Sequence, residues 1–214
     1  MLKYIWGDDM KSLNNIINLI KNREAKPLGI HADFSVLIPL IYREGELHIL
    51  YEVRAHHLST QPGEISFPGG RVEMGETFLE AAIRETMEEL NIERENIEII
   101  NQTDYIVMPF NIGIYPFLGI IKGIEFENIR FSIDEVSEIF TVPLKYFLEN
   151  EPEEHNMAIE PQVGEDFPYH LINNGKAYDW RTGIYPVYFY NYRDYIIWGM
   201  TARITKNFID IIDK

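Results

Sequence analysis

The sequence predicts an α/β fold in which a mixed set of strands is layered between helices, an α/β/α arrangement. Three observations carry that expectation. Two strand-like runs, 34–42 and 46–54, flank Arg43-Glu44-Gly45, which is a hairpin signal. Helix-period runs at 77–90 and 199–212 bracket a series of short strand-like segments. No repeat and no low-complexity linker breaks the chain into separate arrays.

Taken in order, residues 10–23 place Leu13, Ile16, Ile17 and Ile20 on one helical stripe, which suits packing on the domain or contact with a second copy. Residues 1–30 are therefore assigned to a helical extension and 31–214 to the main domain. After the hairpin comes PGEISFPGG (62–70), a loop whose glycines let backbone approach a phosphate closely. A helix over 77–90 follows, with Leu79, Ala82, Ile83, Thr86 and Leu90 as its buried stripe. Strands are expected at 97–102, 106–108, 115–124 and 138–142, and a short helix at 144–149. The stretch 150–166 is acidic and punctuated by proline, so it reads as a loop or lid. Strands near 169–172, 178–180 and 187–192 lead to the last helix.

Composition excludes several classes of protein. At 214 residues, with 46% hydrophobic and 13% aromatic residues, the chain can bury a core and is not disordered. It contains no cysteine, which rules out disulfides and thiolate metal sites and fits a reducing, cytoplasmic location. The opening MLKYIWGDDMKSLNN lacks the apolar core of a signal peptide, and no stretch reaches the ~18 apolar residues of a membrane helix. A formal net charge of −15 repels nucleic acid and anionic membranes. Neither is expected as a partner, and a polyanionic small substrate would have to be recruited by metal and local basic groups.

The chemistry is concentrated in GRVEMGETFLEAAIRETMEELNI (70–92). Glu85, Glu88 and Glu89 stand at i, i+3 and i+4, so a helix stacks three carboxylates on one face. Such neighbours repel by roughly 0.2–0.5 kcal/mol per pair, and near a helix C-terminus they also oppose the macrodipole. A cation offsets both costs. Hard carboxylate oxygens without cysteine or nearby histidine select Mg²⁺ or Mn²⁺. Mg²⁺ is usually held by a few carboxylates together with water and substrate phosphates, so an acidic open face points to a diphosphate or polyphosphate substrate.

With Gly70, Glu76, Arg84, Glu85, Glu88, Glu89 and Ile92 at these spacings, the chain resembles the Nudix hydrolases, which cleave nucleoside diphosphates linked to another moiety. Thr86 replaces an aliphatic residue of that signature and Asn91 replaces a glycine. Asn is the best non-glycine residue for a left-handed helix end, and a threonine methyl can face the core. Upstream, LYEVRAHHLSTQPGEISFPGG (50–70) is similar to the coenzyme A pyrophosphatase branch through Arg54, Ala55, Gly63 and Phe67-Pro68-Gly69-Gly70. That branch usually carries Leu-Leu-Thr where this chain has Leu50-Tyr51-Glu52, and an arginine in place of Ser59. The likeness continues through EVSEIFTVPLKYFL (135–148), YPVYFYNY (185–192) and IWGMTARIT (197–205).

The resemblance implies a Nudix α/β/α sandwich and hydrolysis of coenzyme A or a derivative to 3′,5′-ADP and 4′-phosphopantetheine. Two other readings remain: an ADP-ribose or nucleoside diphosphate-sugar pyrophosphatase, and a catalytically silent nucleotide-sensing module. Glu85 and Glu89 are the expected direct metal ligands. Glu88 is a further ligand, or orients or deprotonates the attacking water. The Gly69 or Gly70 carbonyl is implied as another oxygen, and these glycines with Arg54 are the expected substrate contacts. For Arg54 a surface ion pair is the competing reading. Arg84 either clamps the carboxylates or meets phosphate, and Glu76 supports the loop or a second metal. His56 and His57 either touch an anionic group or are solvated. The resemblance also places a distal base among Glu151, Glu153, Glu154, Glu160 and Glu165. Trp198, Thr201 and Arg203 anchor the last helix or serve the site; Tyr188, Tyr190 and Tyr192 pack the sheet or stack a base. Homodimers are common in the family.

Overall fold

The computed structural model describes residues 5–23, 25–30, 32–108 and 111–213, the side chains of 5–12 excepted. The chain forms two compact units, Met1–His31 and Ala32–Lys214. The first contains helix α1 (Ile5–Lys21), on which Leu13, Ile16, Ile17 and Ile20 are all exposed.

The second unit is built on β1 (Ala32–Arg43). It turns through Glu44 and Gly45, both at positive φ, into β2 (Glu46–Arg54), pairing Arg43 with Glu46 and Leu40 with Ile49. Short strands β3 (Ile65–Ser66) and β4 (Gly69–Arg71) line the loop before helix α2 (Phe78–Leu90). Then come β5 (Ile97–Gln102), β6 (Ile106–Met108), β7 (Ile112–Ile121) and β8 (Val136–Pro143). The sheet runs β3-β2-β1-β7-β5, with β4 added to β1, β6 to β7 and β8 to β2. It is mixed, because β1 and β7 are parallel while the other pairs are antiparallel.

Alternation along the strands divides the core between two faces. Leu37, Ile41, Leu50, Tyr115, Phe117 and Ile121 pack with Ala82 and Leu90 of α2. Ile38, Leu40, Ile49, Tyr51, Phe140 and Val142 pack on the opposite face with Ala202, Ile204, Phe208 and Ile209 of helix α4 (Gly199–Ile212). Helix α3 (Leu144–Glu149) joins that second layer through Phe147. Fully buried Tyr51 stacks on Phe67 and Phe140 and shares a 2.9 Å hydrogen bond with Thr205 of α4, tying sheet to helix. The result is the expected α/β/α layering.

The C-terminal half corrects several expectations. The acidic stretch read as a loop or lid contains β9 (Glu153–Ile159), the edge of a second sheet completed by β10 (Gly183–Tyr192) and β11 (Tyr195–Trp198) in the order β11-β10-β9. Its residues EEHNMAI are exposed on both faces except Ile159, so no alternation marks it, and backbone pairing with β10 (Gly183–Tyr192) defines it. Strand β11 (Tyr195–Trp198) was not anticipated. The strand expected at 169–172 is a 3-10 turn, Tyr169–Leu171, and 178–180 lies outside any strand. Phe167, Tyr169, Tyr178 and Trp180 pack edge to face in a chain there. The strand expected to begin at 115 begins at Ile112, in parallel register with Ala32. No helix among the described residues is long and apolar enough to cross a membrane.

Candidate active site

The site forms where the Gly69-Gly70 turn meets the last turns of α2. Thr77 starts that helix through a capping box: its hydroxyl accepts from Glu80 N at 3.2 Å while Glu80 accepts from Thr77 N at 2.8 Å. Asn91 ends it in the left-handed conformation, φ 47° and ψ 49°. Thr86 is fully buried and donates its hydroxyl to Ala82 O at 2.7 Å, so its polar atom is satisfied within the helix.

The three signature acids are not equivalent. Glu89 is only 3% exposed, so it does not lie on an open helix face; its Oε2 accepts from Gly69 N at 2.8 Å. Glu85 is 16% exposed and Glu88 57% exposed. The difference follows from helix rotation, which turns position 89 toward the buried flank occupied by Thr86 and Leu90. Gly69 and Gly70 let β4 lie between β1 and the acids. A Cβ on Gly69 would strike Ser35 O and Val36 Cα of β1, and one on Gly70 would strike the Glu85 carboxylate.

Arg84 gathers the outer acids. It bonds Glu76 through Nε at 2.9 Å and Nη2 at 3.2 Å, Glu88 at 3.2 Å and the Arg71 carbonyl at 3.2 Å, and it lies 2.9 Å from Glu85. These bonds hold the Glu76 carboxyl below the usual carboxylate range and raise the pKa of the guanidinium. Glu76 also accepts from Glu73 N at 3.0 Å, which fixes the loop before α2.

Sequence reasoning missed two further acids. Glu52 of β2 is fully buried; its Oε1 accepts from Ser66 at 2.9 Å, and its Oε2 has no hydrogen-bond partner. Burial raises the Glu52 carboxyl to about 7, against the pull of Ser66 and Arg54. Burial and the Glu52 charge push Glu89 well above the ordinary carboxylate range, and burial raises Glu85 despite Arg84. Glu135, in the loop entering β8, adds negative potential at all three. A signal for Glu52 was present, because it directly follows the apolar run Ile49-Leu50-Tyr51 and alternates onto the face of Leu50. The candidate distal bases do not appear among the charges acting on these acids: Glu153 and Glu154 lie in exposed β9, and Glu151, Glu160 and Glu165 are exposed.

Arg54 donates to Thr60 O at 3.4 Å and makes no ion pair among the described residues. His56 lies under Gly63, and His57 is exposed. Thr201 donates to Ile65 O at 2.9 Å, linking α4 to the loop, Trp198 stacks on Phe189, and Arg203 covers the Tyr185 ring. Tyr188, Tyr190 and Tyr192 belong to the hydrophobic packing, with Tyr190 edge-on to Phe147.

These donors suit a hard divalent cation: carboxylate oxygens, one of them buried and unpartnered at Glu52. In this geometry Arg84 occupies Glu85 and Glu88, and among the described residues no group of three or more histidine, cysteine or acidic side chains is drawn together as a ready coordination sphere.

The chain is 33% identical over 174 residues to the peroxisomal coenzyme A diphosphatase NUDT7 of Mus musculus, covering 80% of this chain and 66% of that protein. It is 34% identical over 137 residues to Nudix hydrolase 3 of Caenorhabditis elegans, covering 63% of this chain and 57% of that one. The chain thus spans 66% and 57% of the length of these two relatives, less than two thirds of each. It is 30% identical over 175 residues to the uncharacterized Nudix hydrolase NudL of Salmonella newport, covering 80% and 78% respectively. A solved MutT/nudix family protein from Enterococcus faecalis shares the fold, with a TM-score of 0.51 at 18% identity over 94% of this chain and 70% of that one. The NUDIX domain model matches residues 33–163, well over half of the sequence and the whole of the acidic site, and the chain belongs to the Nudix family.

Proposed function

We propose that this protein is a metal-dependent diphosphatase that hydrolyses the anhydride of coenzyme A or a close derivative to 3′,5′-ADP and 4′-phosphopantetheine. The observation that carries the reading is the set of acids Glu85, Glu88 and Glu89 beside the Gly69-Gly70 turn. The substrate assignment is supported by similarity to a relative named as a coenzyme A diphosphatase.

Glu85 and Glu89 would hold Mg²⁺ or Mn²⁺, with Glu88 and a Gly69 or Gly70 carbonyl as further oxygens. When bound, such an ion neutralises diphosphate charge and lowers the pKa of water. The remaining steps belong to the chain. The Gly69 N–H fixes the Glu89 carboxylate, and the glycine turn leaves room for a phosphate against backbone. Arg84 holds Glu88 at the rim, where Glu88 can accept the proton of the attacking water. Arg54, free of an acidic partner among the described residues, can pair with a substrate phosphate.

Mass-resolved product analysis tests this reading, with Mg²⁺ and coenzyme A, acetyl-coenzyme A, ADP-ribose and a dinucleoside polyphosphate supplied separately. The expected result is 3′,5′-ADP and phosphopantetheine with the highest kcat/KM. Faster AMP release from ADP-ribose would replace the substrate but keep the bond type. Binding without turnover would identify a nucleotide-sensing module. Activity that survives thorough chelation would overturn the metal requirement.

A further inference from the structure

We propose that Glu52 is a further ligand of the divalent-cation site, sharing an ion with Glu89 through its Oε2. This rests on the metal-dependent reading above and adds to it a donor from the sheet, outside the helix that carries the other acids.

Strand alternation places Glu52 on the same face as Leu50, and Leu50 packs in the α2 cluster. Glu52 therefore points beneath the helix that carries Glu89. Both side chains are anchored on one loop. Ser66 of β3 donates to Glu52 Oε1 at 2.9 Å, and Gly69 N, three residues on, donates to Glu89 Oε2 at 2.8 Å. Glu52 is 0% exposed and Glu89 3% exposed, so two carboxylates that face each other's charge are shielded from water.

The unpartnered Oε2 of Glu52 distinguishes this arrangement from a structural hydrogen bond. Buried polar atoms are nearly always satisfied, and an orphan costs stability. A hard cation bound at Oε2 satisfies that oxygen and removes its repulsion with Glu89 together. A fully buried strand position thus carries a carboxylate for which a cation is the fitting partner.

The test is Mn²⁺ binding to the purified full chain, followed by electron paramagnetic resonance and calorimetry without nucleotide, for wild type, Glu52→Gln and Glu52→Thr. Circular dichroism verifies that each variant is folded, and the smaller threonine serves if the amide does not pack. The inference expects both folded variants to bind Mn²⁺ at least about tenfold more weakly than wild type. It also expects the unfolding temperature of Glu52→Gln in EDTA to equal or exceed the wild-type value, because a buried charge has been removed while the acceptor for Ser66 is kept. Wild-type affinity and stoichiometry in a folded variant would overturn it and leave Glu52 a structural residue. A wild-type chain that binds no Mn²⁺ would instead defeat the metal-dependent reading on which the inference rests.

Discussion

Exchanging Gly70 for alanine, Gly70→Ala, would place a methyl where the Glu85 carboxylate now lies. The built Cβ falls inside contact distance of Glu85 Oε1 and Cδ, and even the farther Oε2 is only 2.8 Å away. The carboxylate must therefore retreat by on the order of 1 Å. It can do so, because the end of a flexible side chain is what gives way, and the stability cost should stay within about 1 kcal/mol. A misplacement of about 1 Å at a reacting centre costs on the order of 10²-fold, so kcat/KM should fall by that factor with the fold intact. Gly69→Ala is the control. Its Cβ would lie 2.6 Å from Val36 Cα and against Ser35 O, at a φ of +155° that disfavours side chains. Backbone of the central strand cannot yield cheaply, so overpacking and strain should cost about 2–5 kcal/mol. That corresponds to a melting point lower by roughly 5–15 °C for a chain of this length. Thermal unfolding together with steady-state kinetics separates the two effects. Wild-type kcat/KM in Gly70→Ala, or wild-type stability in Gly69→Ala, would refute the geometric argument.

Glu89→Gln retains an oxygen for the Gly69 N–H but loses the charge, so turnover should fall on the order of 10³-fold or more while the melting point in EDTA holds or rises; near-normal kcat would contradict the ligand assignment. Thr77→Ala removes the capping-box hydroxyl and should cost about 1 kcal/mol in urea titrations, whereas an unchanged midpoint would mean that α2 is held by its packing alone. His48 is buried, bonded to Thr141 at 3.1 Å, and burial lowers its pKa below 6.5 despite nearby Glu46. The unfolded chain then takes up a proton that the folded one resists. The His48 contribution to stability is fully present above pH 6.5 and is lost as pH falls through the lower folded value, and His48→Gln should flatten that limb of a stability–pH profile.

The site was legible wherever side-chain type and spacing carry the information. Acids at 85, 88 and 89, the glycine pair and the Thr77–Leu90 helix are local patterns, and the β1–β2 hairpin announces itself through Glu44-Gly45. The burial of Glu89 was not legible, because the same acidic pattern fits a helix lying open or pressed on a sheet; only its neighbours Thr86 and Leu90 fix the rotation. Glu52 was visible as an acid at the end of the apolar run 49–51, yet its relation to Glu89 depends on the packing of β2 beneath α2. Strand β9 was hidden for another reason. Exposed on both faces, it has no hydrophobic period to display, and its partner lies across a long connection.

The parallel pairing of β1 with β7 has a consequence for the order in which the molecule assembles. Ser35 and Tyr115, joined by a 2.9 Å hydrogen bond, are 80 residues apart. Closing a loop of that length costs about 4 kcal/mol in chain entropy before any contact offsets it, and such non-local pairings slow folding. A growing chain that has emerged only through α2 already carries every signature acid. It lacks the strand that lies along β1, and it lacks Glu135 as well. Cation affinity should therefore arise late, with the closing of the sheet, so the carboxylates stay apart in solvent until their scaffold can hold them together.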